Sequence, residues 1–196
     1  MSAPKLLLLP GSARQASLNR RLAHVAAELA AQAGFEPVPY DPARLRMPVY
    51  DGDLEASAGV PEEAVALLEA LRGTEALLLV TPEYNGFPTP LVINAFDWLS
   101  RVPAQGDRPA GLAVTANRPV GVLSASPGPL GGLRSLNYLR QYLQANFQMI
   151  VVPQQFALSK AGDAFDDAGA LKDPKAAQTV SGVLQALARL TRGLAG

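Results

Sequence analysis

Hydrophobic and polar positions alternate along the chain in blocks. Five short apolar runs are each followed by a turn, and then by a stretch of helical period. The runs are Lys5–Leu9, Phe35–Tyr40, Ala76–Val80, Val120–Ser124 and Met149–Val152. Runs this short, without strict alternation, suit strands buried on both faces. Phe35–Tyr40 holds two prolines, so it is expected near a sheet edge. The first helical stretch, Leu18–Ala33, puts Leu18, Leu22, Val25, Ala26 and Leu29 on one face. Ser17 stands at its N-cap and Gly34 at its end. Further helices are predicted from Pro61 to Arg72, with Gly73 closing it, and over Leu91–Ser100, Gly132–Phe147 and Pro174–Leu194. Asp41–Gly59, Thr81–Pro90 and Ala157–Ala170 read as loops. Val102–Arg118 is long for a connection inside one domain, which points to function or association.

Strand and helix in regular succession predict an α/β fold. A five-stranded parallel sheet carries helices on both faces, in one domain over residues 1–196. Ligands in such sheets bind beyond the C-terminal strand ends. Three chemically unusual loops leave strands at Pro10, Thr81 and Ser124, so they are expected to share one crevice.

Composition narrows the functions that crevice can serve. The formal net charge is +0, which leaves no electrostatic footprint for nucleic acid or an anionic membrane. The absence of cysteine removes thiolate nucleophiles, Fe–S clusters and Cys-type zinc sites. The only histidine, His24, lies inside the first helix and is expected at the surface or in packing. Leu6–Leu9 is stopped at once by Pro10 and Gly11, too short for a signal peptide or a membrane span. The expected location is the cytoplasm.

The first loop, Pro10–Asn19, gathers two hydroxyls (Ser12, Ser17), the guanidinium of Arg14 and the N–H groups that open a helix. Together these suit a dianionic phosphate. It lacks the Gly-x-x-x-x-Gly-Lys of a nucleotide-hydrolysing loop and the Gly-x-Gly-x-x-Gly of a dinucleotide fold. A mononucleotide or another monophosphate fits better. The second loop offers Tyr84 as a flat surface, with Asn85 and Gly86 able to take left-handed conformations. Glycines in the third loop let backbone approach a planar ligand.

Taken together, the three loops resemble the NADPH-dependent FMN reductase family, which includes bacterial quinone, chromate and azo-dye reductases. The family's Gly-Ser-x-Arg-x-x-Ser-x-Asn stands here as Gly11 to Asn19 with every fixed position filled. Pro82-Glu83-Tyr84-Asn85-Gly86 follows the third apolar run. Asn94-Ala95-Phe96-Asp97-Trp98 and Ser100-Arg101 come next, then Ser126-Pro127-Gly128-Pro129-Leu130-Gly131-Gly132-Leu133-Arg134. The resemblance implies a flavodoxin-like fold, FMN as cofactor and NADPH or NADH as co-substrate. It also implies a ping-pong reaction that passes hydride to a small-molecule electron acceptor such as a quinone, free flavin, azo dye or chromate. A homodimer or homotetramer is implied too.

By the same resemblance, Ser12, Arg14, Ser17, Leu18 and Asn19 hold the FMN phosphate end. Pro82, Glu83, Tyr84, Asn85 and Gly86 border the isoalloxazine. Ser126, Pro127, Gly128 and Gly131 complete the site. No side chain is expected to act as nucleophile or acid. Trp98 is expected to pack and Asp97 to pair with Arg101 at i,i+4, a subunit interface beside the flavin being the alternative. Ile93 stands where the family often has lysine, and Val102–Arg118 is longer than usual, which bears on substrate and assembly. Two other readings stay open: an electron carrier without its own substrate, and a non-redox phosphate-ligand binder. Such carriers are usually strongly acidic with a Thr-rich phosphate loop, unlike this chain.

Overall fold

A computed structural model describes residues 2–194. Its centre is a parallel five-stranded sheet, in which β1 (Lys5–Pro10), β2 (Glu36–Pro39), β3 (Ala76–Val80), β6 (Pro119–Ala125) and β7 (Ile150–Leu158) take the order β2-β1-β3-β6-β7. This is the doubly wound order whose direction of winding reverses between β1 and β3.

Alternation along each strand feeds two cores. Leu7 and Leu9 of β1 and Leu77 and Leu79 of β3 face one side. They meet α3 (Glu62–Arg72), α4 (Pro90–Arg101) and α6 (Leu133–Phe147). Leu6, Leu8, Leu78 and Val80 face the other, against α1 (Leu18–Gln32) and α7 (Pro174–Leu194). Each fully buried leucine contributes about 1.5–3 kcal/mol. The sheet's alternation therefore fixes which helices share a face.

Both outer strands contain proline. In β2 the N–H groups of Glu36 and Tyr40 bond to Pro4 and Leu8 at 2.9 Å, so Pro37 and Pro39 fall on the outward edge. In β7 the pairing with β6 slips: Val120 faces Val151, but Val122 faces Gln155, with Pro153 inside the irregularity.

Several loops hold more structure than their composition predicts. Inside Asp41–Gly59, a single 3-10 turn at Pro42–Leu45 precedes α2 (Gly52–Ala58). Asp51 caps α2 by accepting from the N–H groups of Asp53 and Leu54. Thr81–Pro90 contains a hairpin of β4 (Glu83–Tyr84) and β5 (Phe87–Pro88). Val102–Arg118 is folded against the body. It contains α5 (Gly111–Thr115), and Asp107 accepts from Arg72 of α3 at 2.7 Å. β7 continues to Leu158, well past the expected end at Val152, because the irregularity absorbs Pro153.

The α4 motif also departs from expectation. Trp98 is fully buried, as its packing role requires, and its Nε1 donates to the carbonyl of Pro48 at 2.8 Å. Asp97 does not pair with Arg101. Arg101 donates through Nε to both carboxylate oxygens of Glu55 on α2 at 3.0 and 2.9 Å. Asp97 instead accepts from the half-buried Tyr142 hydroxyl at 3.1 Å. Burial, and then the Asp97 charge, raise the pKa of Tyr142 well above the ordinary phenol value. Asn94 accepts from Tyr50 N–H at 2.8 Å and donates to Pro48 O at 2.9 Å. The motif thus clamps the segment Met47–Tyr50 onto α4.

Candidate functional site

The three loops meet beyond the C-terminal ends of β1, β3 and β6, where a cleft of about 130 Å³ opens. Ser12, Arg14, Ser17, Leu18 and Asn19 line it from the first loop, Pro82, Glu83 and Tyr84 from the second, and Ala125, Ser126 and Pro127 from the third. Of the expected residues, Asn85, Gly86, Gly128 and Gly131 lie outside this lining. Asn85 and Gly86 form the hairpin turn, at φ 53 and 83. Two successive positive φ values are the turn that matches strand twist and favours Asn-Gly. Gly128 accepts from the N–H of Lys160 at 3.2 Å, and Gly131 packs so closely on Ala157 that a Cβ would overlap its carbonyl. These glycines shape the site from behind. Ala125 is the lining residue that sequence reasoning missed. It acts through its backbone, and an apolar strand end gives no signal of that.

Side-chain ties hold the loops to one another and to α6. Thr89 donates to the carbonyl of Gly11 at 3.1 Å, linking the second loop to the first. A Cβ on Gly11 would overlap the Thr81 hydroxyl, so only glycine permits this approach. Asn19, 2% exposed, links the first loop to the third. Its Nδ2 donates to Ala125 O at 2.8 Å and its Oδ1 accepts from Ala125 N at 2.9 Å. Glu83 links the second loop to α6 behind the third. Its carboxylate accepts from Arg134 Nε at 2.9 Å, from Arg134 Nη2, and from the N–H of Ser135 at 3.2 Å.

The electrostatics of the cleft favour an anion. Burial pushes the Glu83 carboxyl up, but the Arg134 guanidinium and the Ser135 N–H outweigh it and hold the group below the usual carboxylate value. The only carboxylate lining the cleft is thus committed to α6. Ser17 Oγ accepts from Arg20 N at 3.3 Å, which leaves its own O–H to donate. Arg14 is exposed and, among the described residues, held only by a bond to Ala16 O at 3.2 Å. Two hydroxyls, an unpaired guanidinium and the start of a 15-residue helix make a donor set for a phosphate dianion. Tyr84, 51% exposed, offers a ring face beside it. His24 lies outside the cleft, exposed, with Nε2 3.9 Å from Glu28. Among the described residues, no group of three or more His, Cys, Asp or Glu is placed to hold a metal ion. No helix there is long and apolar enough to cross a membrane.

The NADPH-dependent FMN reductase family matches residues 4–163, most of the chain. The chain belongs to this family. It is similar to the quinone reductase of Escherichia coli (strain K12), with 34% identity over 152 residues, 78% of this chain and 76% of that one. It is also 35% identical over 150 residues to an NAD(P)H-dependent FMN reductase of Pseudomonas aeruginosa, 76% of each chain. Among solved structures, the flavoenzyme NAD(P)H:(acceptor) oxidoreductase FerB of Paracoccus denitrificans superposes with a TM-score of 0.76. That match has 24% identity and covers 97% of this chain and 98% of FerB. A WrbA-like flavodoxin of Agrobacterium tumefaciens superposes at 0.62 over 97% of this chain and 98% of its own, with 18% identity. The fold is therefore flavodoxin-like. This FMN reductase family member is an oxidoreductase that uses FMN and NAD(P)H. The cleft's donors and its freedom from uncommitted carboxylate fit the FMN phosphate.

Proposed function

We propose that this chain reduces a quinone-type acceptor with NAD(P)H by a ping-pong sequence, in which reductant and acceptor take turns in one cleft. The observation that carries the proposal is the single small cleft where all three motif loops converge. Names of relatives such as the Escherichia coli enzyme support the acceptor class. The residues of the cleft would hold FMN, which would supply the hydride-transfer chemistry. The chain's own part is to bind and orient. Ser12, Ser17, Arg14 and the α1 N-terminus take the phosphate. Asn19 holds Ala125 against the first loop through both ends of its amide. Pro82 to Tyr84 form the wall beside the ring system. Arg14, Glu83 and Tyr84 are the ionisable side chains in the lining, and none is placed with a partner base as an activated nucleophile would be.

Exposed Tyr84, Phe87, Leu130, Leu133 and Tyr138 sit on or beside the hairpin and the start of α6. The Phe87 and Tyr138 rings meet at 5.0 Å, tilted by 44°. An apolar patch of this kind supports a homo-oligomer, which light scattering tests.

The deciding experiment is a visible spectrum of the protein with added FMN, followed by NADPH without oxygen, then a quinone. Bound flavin that bleaches and is reoxidised by the quinone supports the reading. Flavin that binds yet stays oxidised with both NADPH and NADH overturns it in favour of an electron carrier. A double variant R14A/S17A should bind FMN at least tenfold more weakly with the fold intact; unchanged affinity removes the phosphate assignment.

A further inference from the structure

We infer that Glu83 is a positioning residue: through α6 it fixes the hairpin wall of the cleft before the flavin arrives. The inference rests on the flavin reading of the cleft and adds a role for a lining side chain whose oxygens are engaged by α6.

The wall is a hairpin of two-residue strands, Glu83–Tyr84 and Phe87–Pro88. A hairpin that short does not hold its shape alone. Its support comes from α6. At the base, the Glu83 side chain is 8% exposed and receives two donors from Arg134 and one from the Ser135 N–H. Both Arg134 donors converge on Oε1 while the Ser135 N–H holds Oε2, so these charge-assisted bonds fix the carboxylate from two directions. At the tip, the Arg134 guanidinium lies 3.7 Å from where a Cβ on Gly86 would stand, so it covers the turn. Phe87 rests on Tyr138 one helical turn further along. Gly132, just before α6, has φ +94, and a Cβ there would overlap the Ser124 hydroxyl. The helix start that receives Glu83 is therefore itself seated on β6. Without the Glu83 anchor the hairpin would have to be ordered during binding, and that ordering opposes association.

The test is FMN binding to flavin-free full-length protein, read by quenching of flavin fluorescence, for wild type, E83A and E83Q. Melting temperatures are measured alongside. E83A should raise the Kd at least tenfold, mostly through slower association. E83Q should recover part of the loss, because its amide oxygen still accepts from Arg134 while its NH2 cannot accept from the Ser135 N–H. A role confined to folding lowers the melting temperature and leaves the Kd of folded protein unchanged, and that result overturns the inference. So does wild-type affinity in both variants. If E83A does not fold, R134M carries the test, with a several-fold rise expected and wild-type affinity as the refuting result. Wild-type protein that does not bind FMN refutes the flavin reading itself and the inference with it. Binding that ignores both substitutions refutes only the role of Glu83.

Discussion

Replacing Asn19 by alanine separates a structural tie from a phosphate ligand. The Asn19 amide satisfies both backbone groups of Ala125, at 2.8 and 2.9 Å, and both residues are 2% exposed. Truncation leaves one N–H and one C=O without partners. A stranded buried backbone group costs about 1–3 kcal/mol, and water entering from the adjoining cleft relieves part of that. The expected loss is about 3 kcal/mol. For a domain of this length, 1 kcal/mol shifts the melting temperature by about 2–4 °C, so N19A should melt about 6–12 °C below wild type. The assay is calorimetry on flavin-free protein, where no phosphate is present to be lost. N19D should be no milder than N19A at neutral pH, since it keeps the acceptor for Ala125 N–H but sets a buried carboxylate oxygen against the Ala125 carbonyl. A drop below about 2 °C in flavin-free N19A, with FMN affinity reduced, would refute the reasoning and leave Asn19 a ligand alone.

Other consequences are as direct. W98F removes the donor to Pro48 O but leaves that carbonyl its bond from Asn94, so chemical denaturation should show a loss of about 1 kcal/mol, against about 3–5 for W98A. G132A places a methyl into Ser124 at a positive φ and should cost about 2–4 kcal/mol in the same assay. The folded-state pKa of Glu83 lies below its ordinary 4.5. Its ionised contribution to stability is therefore complete above that value and is lost as pH falls through the depressed one. The stability gap between wild type and E83A should stay constant from neutral pH down to about 5 and close only in stronger acid; a gap that closes near neutrality contradicts the assignment.

The sheet and both helical layers could be read from pattern, because each strand is a dense apolar run and each long helix has a broad apolar face. What escaped reading lacks that signal. α2 buries none of its residues, so its seven positions show no period, and only Asp51 announces it. β7 looked finished at Val152 because Pro153 reads as a breaker, whereas the local irregularity accommodates it. The β4–β5 hairpin did carry a signal in Asn85-Gly86, which composition alone blurred into a loop. Asp97 and Arg101 stand at pairing distance along a helix, but spacing does not reveal Glu55, 46 residues away, or Tyr142 on another helix. At the site, the motifs located ten of the eleven lining residues, omitting Ala125. Motifs report which residues gather. They do not report that Asn19 and Glu83 spend their side-chain groups on backbone and helix.

The prolines at the sheet's two borders have a consequence for how the molecule tolerates crowding. An incoming extended segment looks for a row of free amide donors, and both flanks break that row. Along β2, Pro37 and Pro39 present none, and along β7 the slipped register and Pro153 spoil the spacing. Among the described residues, the five-stranded sheet gives templated growth of one molecule upon another no unbroken edge to start from. Concentrated solutions of the native protein should therefore gain thioflavin fluorescence only after unfolding, never by recruitment onto the folded form.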